Sequence, residues 1–365
     1  MAVEAVREAK LRLERQRVVW KPQLGPQTYA CNCQADVVGY GGAAGGGKTD
    51  LLLGKAGTQH RRSIIFRRVY PSLRGMIERS REIFNPSNVS HSDDSYNEQL
   101  HVWRLSNRRM LEFGSVQHET DLKKFQGQPH DFIGVDEATE FPESFVRFLM
   151  GWNRTTIKSQ LCQTVLTFNP PMDDMGEWVI RFFAPWLDPD NANPAADGEL
   201  RWFAMVDGTE IECGSEPFEN HGEVVTPKSR TLFHASLRDN PALEVTGYGA
   251  TIDAMPEPLR SLLRGNFDAA KIIDPWQTIP GDWIRQAQAR WTETPPDRKP
   301  VVGVDPARGG KNAMAVARCY GNWFSPLQTY PGASVPDGPT GAAILASDIA
   351  AGYPISIDII GIGSS

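Results

Sequence analysis

The sequence predicts an α/β protein in which a mainly parallel sheet carries a glycine-rich loop, followed by a second, smaller α/β unit. Three stretches lead to this prediction. Gly42–Thr49 fits the pattern G-x-x-x-x-G-K-[ST] and stands between a short apolar run and a helix-compatible run. Asp131–Glu137 is an apolar strand that ends in two carboxylates, and Pro300–Asp305 is a later apolar strand that ends in one. Polar residues that follow buried strands in this way collect at one edge of an open α/β sheet.

Length and composition are those of a two-domain protein with ordinary cores. The chain has 365 residues, of which 40% are hydrophobic, and 38 Lys and Arg against 44 Asp and Glu give a net charge of −6. A passive nucleic-acid coat would usually be basic, so this balance argues against one. It leaves room for a motor that touches a phosphate backbone through small local patches.

Cysteine usage and hydropathy indicate a reducing, aqueous compartment. The five cysteines form no Cys-x-x-Cys pair and no Cys/His set with zinc spacing, so buried free thiols are the expected state. No apolar run approaches the roughly 20 residues of a membrane span, and residues 1–20 are too charged for a signal peptide. The sequence therefore predicts a cytosolic protein without membrane contact.

The N-terminal segment, residues 1–25, is predicted to be helical over residues 2–19 and then to form a proline-punctuated loop. The helix has a polar majority and is expected to be a solvated cover. Gln27 follows shortly afterwards. Its amide offers both a donor and an acceptor, so it is a candidate to bind adenine ahead of the first strand.

The glycine-rich loop has the residue types that phosphate binding requires. Glycines let several backbone N–H groups turn inward around a phosphate, and the helix that follows adds its positive N-terminal end. Lys48 can place a positive charge on the β- and γ-phosphates, and the Thr49 hydroxyl can ligate Mg²⁺. The predicted ATP-binding residues are Gln27, Gly42, Ala43, Ala44, Gly45, Gly46, Gly47, Lys48 and Thr49.

A dinucleotide-binding fingerprint is the alternative interpretation of the same stretch. Gly39-x-Gly41-x-x-Ala44 formally fits G-x-G-x-x-[GA]. Lys48 and Thr49 have no role in that motif, and no acidic residue closes a clear second strand about 20 residues on. The nucleoside triphosphate interpretation is therefore favoured.

Between the loop and the second motif the sequence predicts a strand, a helix and a hairpin. The strand is Arg62–Arg68, the helix is Leu73–Phe84, and the hairpin joins His101–Leu105 to Met110–Val116. Basic residues are scattered here, and they form either a solvated face or a DNA-facing patch: Arg104, Arg108, Arg109, Lys123 and Lys124.

Asp136 and Glu137 fit the second motif of P-loop ATPases. Asp136 would hold the hydration shell of Mg²⁺, and Glu137 would polarise the attacking water. Their distance from Lys48, with strand material between, fits the ASCE type of ATPase, in which a further strand separates the two motif strands and a glutamate is the base. The strand Gln163–Phe168 comes next. Thr167 and Asn169 would then sit beside the γ-phosphate as candidates to sense it and pass on its loss.

The amino-acid composition changes after the strand Gln163–Phe168 and the prolines that follow it. Residues 172–274 are rich in Asp, Pro, Gly and Asn in places and are predicted to be a lid or linker subdomain that completes the 26–171 core. Residues 275–299 are proline-rich and predicted to be an interdomain linker. Residues 300–365 form the second unit.

Two carboxylates in the second unit are candidate metal ligands. Asp305 ends the strand Pro300–Asp305, Ala313–Arg318 is predicted to pair with that strand, and Asp358 lies in the predicted strand Ile355–Ile360. Two carboxylates on neighbouring strands can hold divalent metals for two-metal phosphodiester cleavage, although a strand-terminal Asp is also a common turn residue.

Together these motifs resemble the large terminase subunit of tailed bacteriophages, the motor that packages DNA into capsids. The resemblance runs from about Pro26 to the C-terminus. It is carried by Pro26 with Gln27, GGAAGGGKT at Gly41–Thr49, IIFRRVYPSLR at Ile64–Arg74, FQGQPHDFIGVDEATEF at Phe125–Phe141, TFNPP at Thr167–Pro171, Asp239-Asn240-Pro241, Gly265-Asn266-Phe267 and VVGVDPARGG at Val301–Gly310.

The resemblance implies an N-terminal ATPase and a C-terminal nuclease with a ribonuclease-H-like fold. It implies that Thr167 and Asn169 form the coupling motif and that Asp305 and Asp358 are the first two metal-binding acids of the nuclease, for Mg²⁺ or Mn²⁺. Family members use an arginine finger; since no Arg lies inside Gly42–Thr49, the candidate is Arg154 of a neighbouring subunit. The implied partners are double-stranded DNA, the portal protein, the small terminase subunit and further copies in a ring, in the cytoplasm of an infected bacterium.

One departure affects the nuclease. The family's third acidic ligand would lie beyond Ser365, so we expect an incomplete nuclease module with little or no activity, in a fragment or a truncated gene product. Three alternatives to a packaging motor remain. They are a DNA helicase or repair ATPase with the same core, a nucleotide-gated assembly protein, and a defective relic.

Overall fold

The computed structural model describes residues 20–85, 94–105, 108–271, 279, 281–307 and 312–358. The chain divides into two compact units, Met1–Asp274 and Pro275–Ser365. The helix predicted at residues 2–19 lies outside the described residues. Residues 20–25 of the same segment form a loop, and the ring of Trp20 packs so closely on Gly54 that a side chain there would collide with it.

The first unit is built on one ten-stranded sheet. A separate two-stranded hairpin consists of β10 (Phe218–Asn220) and β11 (Glu223–Val225). The ten strands are β1 (Val37–Gly42), β2 (Arg62–Arg67), β3 (Ser95–Asn97), β4 (Val102–Leu105), β5 (Arg109–Ser115), β6 (Phe132–Asp136), β7 (Gln163–Phe168), β8 (Arg201–Val206), β9 (Thr209–Cys213) and β12 (Lys228–Ala235).

The strand order is β3-β4-β5-β2-β6-β7-β1-β12-β8-β9. The six strands from β5 to β12 are parallel to their neighbours, and the two strands added at each end are antiparallel. The mainly parallel α/β sheet predicted from the sequence is confirmed. A strand does separate β1 from β6, as predicted, and it is β7, which follows both of them in the chain.

Helices cover both faces of this sheet, because each parallel strand is buried on both sides. One core packs α2 and α3 against the sheet, and the other packs α5 to α7. The helices of the first unit are α1 (Pro26–Asn32), α2 (Lys48–Thr58), α3 (Leu73–Phe84), α4 (Glu119–Leu122), α5 (Glu143–Met150), α6 (Trp178–Phe182), α7 (Ala184–Leu187), α8 (Pro241–Glu244), α9 (Tyr248–Asp253) and α10 (Leu259–Leu263).

Two glycines of β1 are needed for packing rather than for a turn. A Cβ on Gly39 would lie 2.8 Å from the ring of Phe183, and one on Gly41 would lie 2.5 Å from the ring of Phe168. Both glycines are inside the strand, whereas a dinucleotide fingerprint needs its first glycines in the turn after the strand. The dinucleotide interpretation is therefore wrong in its structural context.

Part of the predicted lid belongs to the sheet. Composition suggested an insertion of long loops after residue 172, but β8 and β9 continue the ten-stranded sheet beyond β12. β9 (TEIEC) alternates between polar and apolar residues, which suits a sheet edge with one exposed face, whereas β8 (RWFAMV) is apolar apart from Arg201. The proline-rich stretch of residues 275–299 likewise contains a helix, α11 (Gly281–Ala289).

The second unit has a five-stranded sheet and, besides α11, two short helices. Its strands are β13 (Val301–Asp305), β14 (Met314–Tyr320), β15 (Trp323–Phe324), β16 (Gln328–Tyr330) and β17 (Ile355–Ile357), and its helices are α12 (Gly338–Ile344) and α13 (Ala346–Ala350). β13 is antiparallel to β14 and parallel to β17. The last strand is shorter than predicted, so Asp358 follows it, and residues 359–365 lie outside the described part.

Within the described residues, no helix combines the length and the apolar character that crossing a membrane requires.

Candidate functional site

The loop between β1 and α2 has the backbone that the sequence motif predicts. Gly42, Gly45 and Gly47 have φ of +129°, +81° and +76°, a region that only glycine adopts without strain. Ala43 and Ala44 donate their N–H groups to Ala235 and Leu263. No hydrogen bond in the described part of the chain takes up the N–H groups of residues 45–49, so these remain for a ligand at the start of α2.

A distant segment of the chain holds this loop from behind. The Ala43 N–H donates to the Ala235 carbonyl at 2.8 Å, and the Asn240 side-chain amide donates to the Gly45 carbonyl at 2.7 Å. A Cβ on Gly265 would lie 2.6 Å from the Ala43 nitrogen. The loop is therefore fixed by residues 235–265, all of which the composition assigned to a lid or linker.

A pocket of about 470 Å³ opens over the loop. This is roomy enough for a polar ligand of nucleotide size. Its lining combines backbone donors, cations, carboxylates and amides: Gln23, Ala44, Gly45, Gly46, Gly47, Lys48, Thr49, Asp50, Arg79, Glu137, Asn169, Asn240, Ala242 and Leu243.

Lys48 is a buried ammonium group at the base of this pocket. Its Nζ donates to the Ala43 carbonyl at 2.5 Å, and the side chain is 7% exposed. Burial lowers the pKa of Lys48 to about 8, against the opposing effect of Glu137 and Asp136. An anionic ligand in the pocket would raise the pKa of Lys48 again, because an opposite charge at close range favours the charged form.

Asp136 is the point at which three elements meet. Its carboxylate accepts hydrogen bonds from the Thr49 hydroxyl at 3.1 Å, from the Thr167 hydroxyl at 2.5 Å, and from Arg67 at 2.6 and 2.9 Å. The residue is 1% exposed. A buried carboxylate needs hydrogen-bonding partners, and one cation and two hydroxyls supply them here.

Glu137 stands beside this cluster in a left-handed backbone conformation, with φ of +56°. The Asn169 amide donates to its carboxylate at 3.1 Å, and Arg67 lies 4.0 Å from it. Burial, followed by the neighbouring charge of Asp136, raises the pKa of Glu137. A non-glycine residue in this conformation at a pocket is typical of a functional position.

The oxygen atoms here fit a magnesium ion. Thr49 and Asp136 offer a hydroxyl and a carboxylate 3.1 Å apart, and hard oxygen ligands are those that Mg²⁺ prefers. The guanidinium of Arg67 already places a cation against the same Asp136 oxygen. Thr49 and Asp136 would hold the ion, and Arg67 would have to yield part of its contact.

Gln23, rather than Gln27, lines the pocket in this structure. Gln27 is 1% exposed inside α1, accepts the N–H of Gln23 at 2.6 Å, and donates to the Gly47 carbonyl at 2.8 Å. The Gln23 side chain donates to Asn240 at 2.8 Å and keeps a buried oxygen without a partner among the described residues. Gln27 thus braces the loop in this state, and its adenine contact stays a prediction.

Arg154 does not join the site of its own chain. Its N–H donates to the carbonyl of His130, which precedes β6, whereas Asp136 ends β6 at the other edge of the sheet. Its guanidinium lies over the ring of Trp152 at 4.9 Å. A role as a finger toward a neighbouring subunit remains a prediction.

In the second unit, Asp305 and Asp358 occupy matching positions on neighbouring strands. β13 and β17 pair in parallel with Val304 opposite Ile357, and the Asp358 N–H donates to the Val304 carbonyl at 3.0 Å. Both residues are exposed. No group of three or more potential metal-ligating side chains occurs within the described residues, here or elsewhere.

Sequence reasoning missed Arg67, Gln23 and Asn240 as residues of the site. Arg67 ends β2, which pairs directly with β6. An arginine at the end of one strand, beside an aspartate at the end of its neighbour, is a sequence signal that could have identified Arg67. Gln23 and Asn240 meet only in the fold, being separated by 217 residues.

Comparisons with known proteins found likeness in structure alone. No protein-family model and no curated protein matched the sequence. The solved structures that resemble this chain include the large terminase of a thermophilic bacteriophage, with 10% identity, a TM-score of 0.44, and 94% of this chain and 84% of that one covered. The large terminase of bacteriophage HK97 has 12% identity, a TM-score of 0.38, and coverage of 91% and 67%. The ATPase domain of the Thermus phage P74-26 large terminase has 14% identity, a TM-score of 0.42, and coverage of 68% and 94%.

Proposed function

We propose that this chain is the ATP-hydrolysing subunit of a motor that moves double-stranded viral DNA into a procapsid. The observation that carries the ATPase part is the convergence of Lys48, Thr49 and Glu137 at one pocket over a glycine-rich loop, with Asp136 hydrogen-bonded to Thr49. The sequence motifs that resemble terminases support the narrower assignment to DNA packaging.

The arrangement supports hydrolysis of a nucleoside triphosphate in which each residue has one task. Free N–H groups of residues 45–49 and the Lys48 ammonium bind the phosphates, while Thr49 and Asp136 would hold Mg²⁺, whose charge offsets that of the phosphates. Glu137 accepts a proton from the attacking water, a role that its raised pKa suits. Asn169 holds the Glu137 carboxylate in place until the γ-phosphate arrives.

Two residues are suited to report the state of the nucleotide. Thr167 and Asn169 lie at the end of β7 and donate to Asp136 and Glu137 respectively. Loss of the γ-phosphate changes what those two carboxylates contact, and the change passes to the chain after β7. An arginine finger from a neighbouring subunit, with Arg154 as the candidate, would complete the site and is worth about 10³ to 10⁵ in rate elsewhere.

The second unit is proposed to be a metal-dependent endonuclease module. The support is the pairing of β13 with β17, which sets Asp305 and Asp358 side by side at the ends of two parallel strands. Proposed partners are double-stranded DNA, a portal protein, a small terminase subunit and further copies of the chain.

Steady-state ATP hydrolysis by the purified chain tests the proposal. We expect Mg²⁺-dependent phosphate release that Lys48→Ala abolishes, because the substitution removes the only cation buried against the loop among the described residues. Lys124→Ala, an exposed lysine outside the pocket, is the control and should retain full activity. Undiminished hydrolysis by Lys48→Ala would exclude this site as the source of the activity.

Glu137→Gln separates a motor from a nucleotide-gated assembly protein. The amide keeps the shape of the side chain but cannot accept the proton, so ATP should still bind while hydrolysis falls by about 10² to 10⁴. A motor then stops packaging DNA, whereas an assembly protein would keep assembling. Strand separation on a forked duplex would instead favour the helicase alternative.

A further inference from the structure

Two oppositely charged surfaces lie at the two ends of the ten-stranded sheet. The first is called the basic edge and consists of Arg61, Arg104, Arg108 and Arg109. The second is called the acidic arm and consists of residues 207–226, which include the turn between β8 and β9 and the hairpin β10–β11. Eight strand spacings separate β4 from β9, so the two surfaces are about 40 Å apart.

The acidic arm carries negative charge without cations of its own. Residues 207–226 contain six carboxylates and no lysine or arginine. Five of the six are exposed, and Glu216, Glu219 and Glu223 make no ion pair within the described part of the chain. Glu210 is paired with Arg230, Glu212 with Arg201, and Asp207 lies near His221. The arm therefore presents a field that its own unit does not neutralise.

The basic edge has the opposite character. Arg61, Arg104 and Arg108 are exposed and make no ion pair with any described carboxylate. Two neighbouring acids have other partners. The Asp131 carboxylate accepts hydrogen bonds from the backbone N–H groups of Arg61 and Arg62, and the Glu112 carboxylate lies 3.9 Å from the Arg62 guanidinium. Arg61 and Arg109 are neighbours, because β2 and β5 pair with Arg62 opposite Met110 and the Met110 N–H donates to the Arg61 carbonyl at 2.9 Å. Burial, and then the like charge of Arg61, lower the pKa of Arg109, against the attraction of Asp131.

Although they lie at opposite ends of the strand order, both surfaces lie on the side of the sheet where its parallel strands begin. Arg61 and Arg109 stand at the amino ends of β2 and β5. At the other end of the sheet, Phe203 of β8 pairs with Lys228 at the amino end of β12, so β8 continues past that edge into the acidic turn. Two complementary patches at opposite ends but the same level suit a head-to-tail contact between copies, which closes into a ring when the rotation allows.

We propose that the acidic arm of one chain docks on the basic edge of a second copy. DNA would account for the basic edge alone and would leave the acidic arm, about 40 Å away, without a role, whereas a second copy accounts for both surfaces. The exposed apolar residues Ile211 and Val224 on the arm, and Met205 just before it, would supply burial that charge alone does not. The inference concerns the ring that the proposed motor function requires, but its test does not depend on ATP hydrolysis.

Complementary charge reversal tests the contact. One variant carries Arg104→Glu with Arg108→Glu, and the other carries Glu219→Lys with Glu223→Lys. Self-association of the wild-type chain, measured by sedimentation velocity at low salt, should weaken as salt is raised. Each variant alone should associate at least about 10-fold more weakly, because like charges then face each other. An equimolar mixture of the two should associate again, since each supplies the surface that the other lacks.

Two double charge reversals in the second unit serve as matched controls. Arg290→Glu with Lys299→Glu, and Glu293→Lys with Asp297→Lys, change the same number of exposed charges in the second unit and should leave association unchanged. The inference is overturned if the wild-type chain stays monomeric at low salt, if the mixture fails to reassociate, or if reversal at the basic edge weakens DNA binding without affecting self-association. Failure of the Lys48→Ala test would remove the ATPase proposal and leave this result untouched.

Discussion

Two strands of this protein, β6 and β13, end in an aspartate after the same kind of apolar run, yet the two carboxylates differ in every other respect. Asp136 is 1% exposed and accepts hydrogen bonds from Thr49, Thr167 and Arg67. Asp305 is exposed, and its neighbour across the sheet is the equally exposed Asp358. The pattern of a strand that ends in Asp therefore locates a sheet edge, and the elements that arrive there from elsewhere decide what the carboxylate can do.

Asparagine at each of the two positions gives the largest expected contrast. Asp136→Asn removes the charge that holds Arg67 and the proposed metal ligand, so ATP hydrolysis should fall by about 10³ or more. Asp305→Asn changes an exposed residue of another unit and should leave ATP hydrolysis within about 2-fold. Phosphate release by the two variants and the wild type measures both.

The same two variants also test whether the buried carboxylate of Asp136 takes part in hydrolysis. If Asp136→Asn hydrolyses ATP normally, the contacts of the buried carboxylate are purely structural. Thermal unfolding of both variants provides the control, because loss of a buried charged hydrogen-bond partner should lower the melting temperature of Asp136→Asn alone.

The pH dependence of nucleotide binding sharpens the contrast between buried and exposed charge. Lys48 has a pKa of about 8 in the free protein and must be charged to hold phosphate. Below pH 8 it is already protonated; above pH 8 binding must take up a proton, so affinity should fall by up to about tenfold per pH unit. Titration with a fluorescent ATP analogue from pH 7 to about 9.5 measures this fall.

Lys48→Arg is the matched control for the pH series. A guanidinium stays charged throughout this range, so its binding, even if weaker, should not vary with pH. A flat profile for the wild-type protein would mean that the ammonium remains charged despite its burial.

Two buried threonines give the smallest effect and the closest match. The Thr167 hydroxyl donates to Asp136 at 2.5 Å, whereas the Thr231 hydroxyl, also fully buried, has no partner in the described part of the chain. Thr167→Val should lower the free energy of unfolding by about 1 kcal/mol, and Thr231→Val should be neutral or slightly stabilising. Urea unfolding of the two variants compares them directly; equal losses would mean that the hydroxyl bond to Asp136 contributes nothing.

Local pattern was sufficient for the parts of the site that are continuous in sequence. The loop Gly42–Thr49 and the pair Asp136-Glu137 could be predicted because glycine spacing and strand-terminal carboxylates are visible in the local sequence. The sequence also predicted that Asp305 and Asp358 lie on neighbouring strands, but not the register of the pair, and Asp358 follows β17 instead of lying within it.

Contacts between distant elements are not visible in the local sequence. Asn240, Gly265 and Arg67 reach the site through pairing and packing between distant elements, so no local pattern marks their role. The strands β8 and β9 were missed for a similar reason: the segments around them are rich in Asp, Pro, Gly and Asn, and β8 joins the sheet only by pairing with β12 and β9 only by pairing with β8.

The anchoring of the loop by residues 235–265 has a consequence for how the protein is made. Asn240 is 195 residues from Gly45 in the sequence, and β1 is enclosed by β7 and β12, both of which are translated much later. At about 5 to 20 residues per second, the ribosome needs roughly 10 to 40 s to supply these partners after the loop itself has been synthesised. The nascent chain therefore carries its most glycine-rich segment without the support of Asn240 while the 195 residues between them are translated.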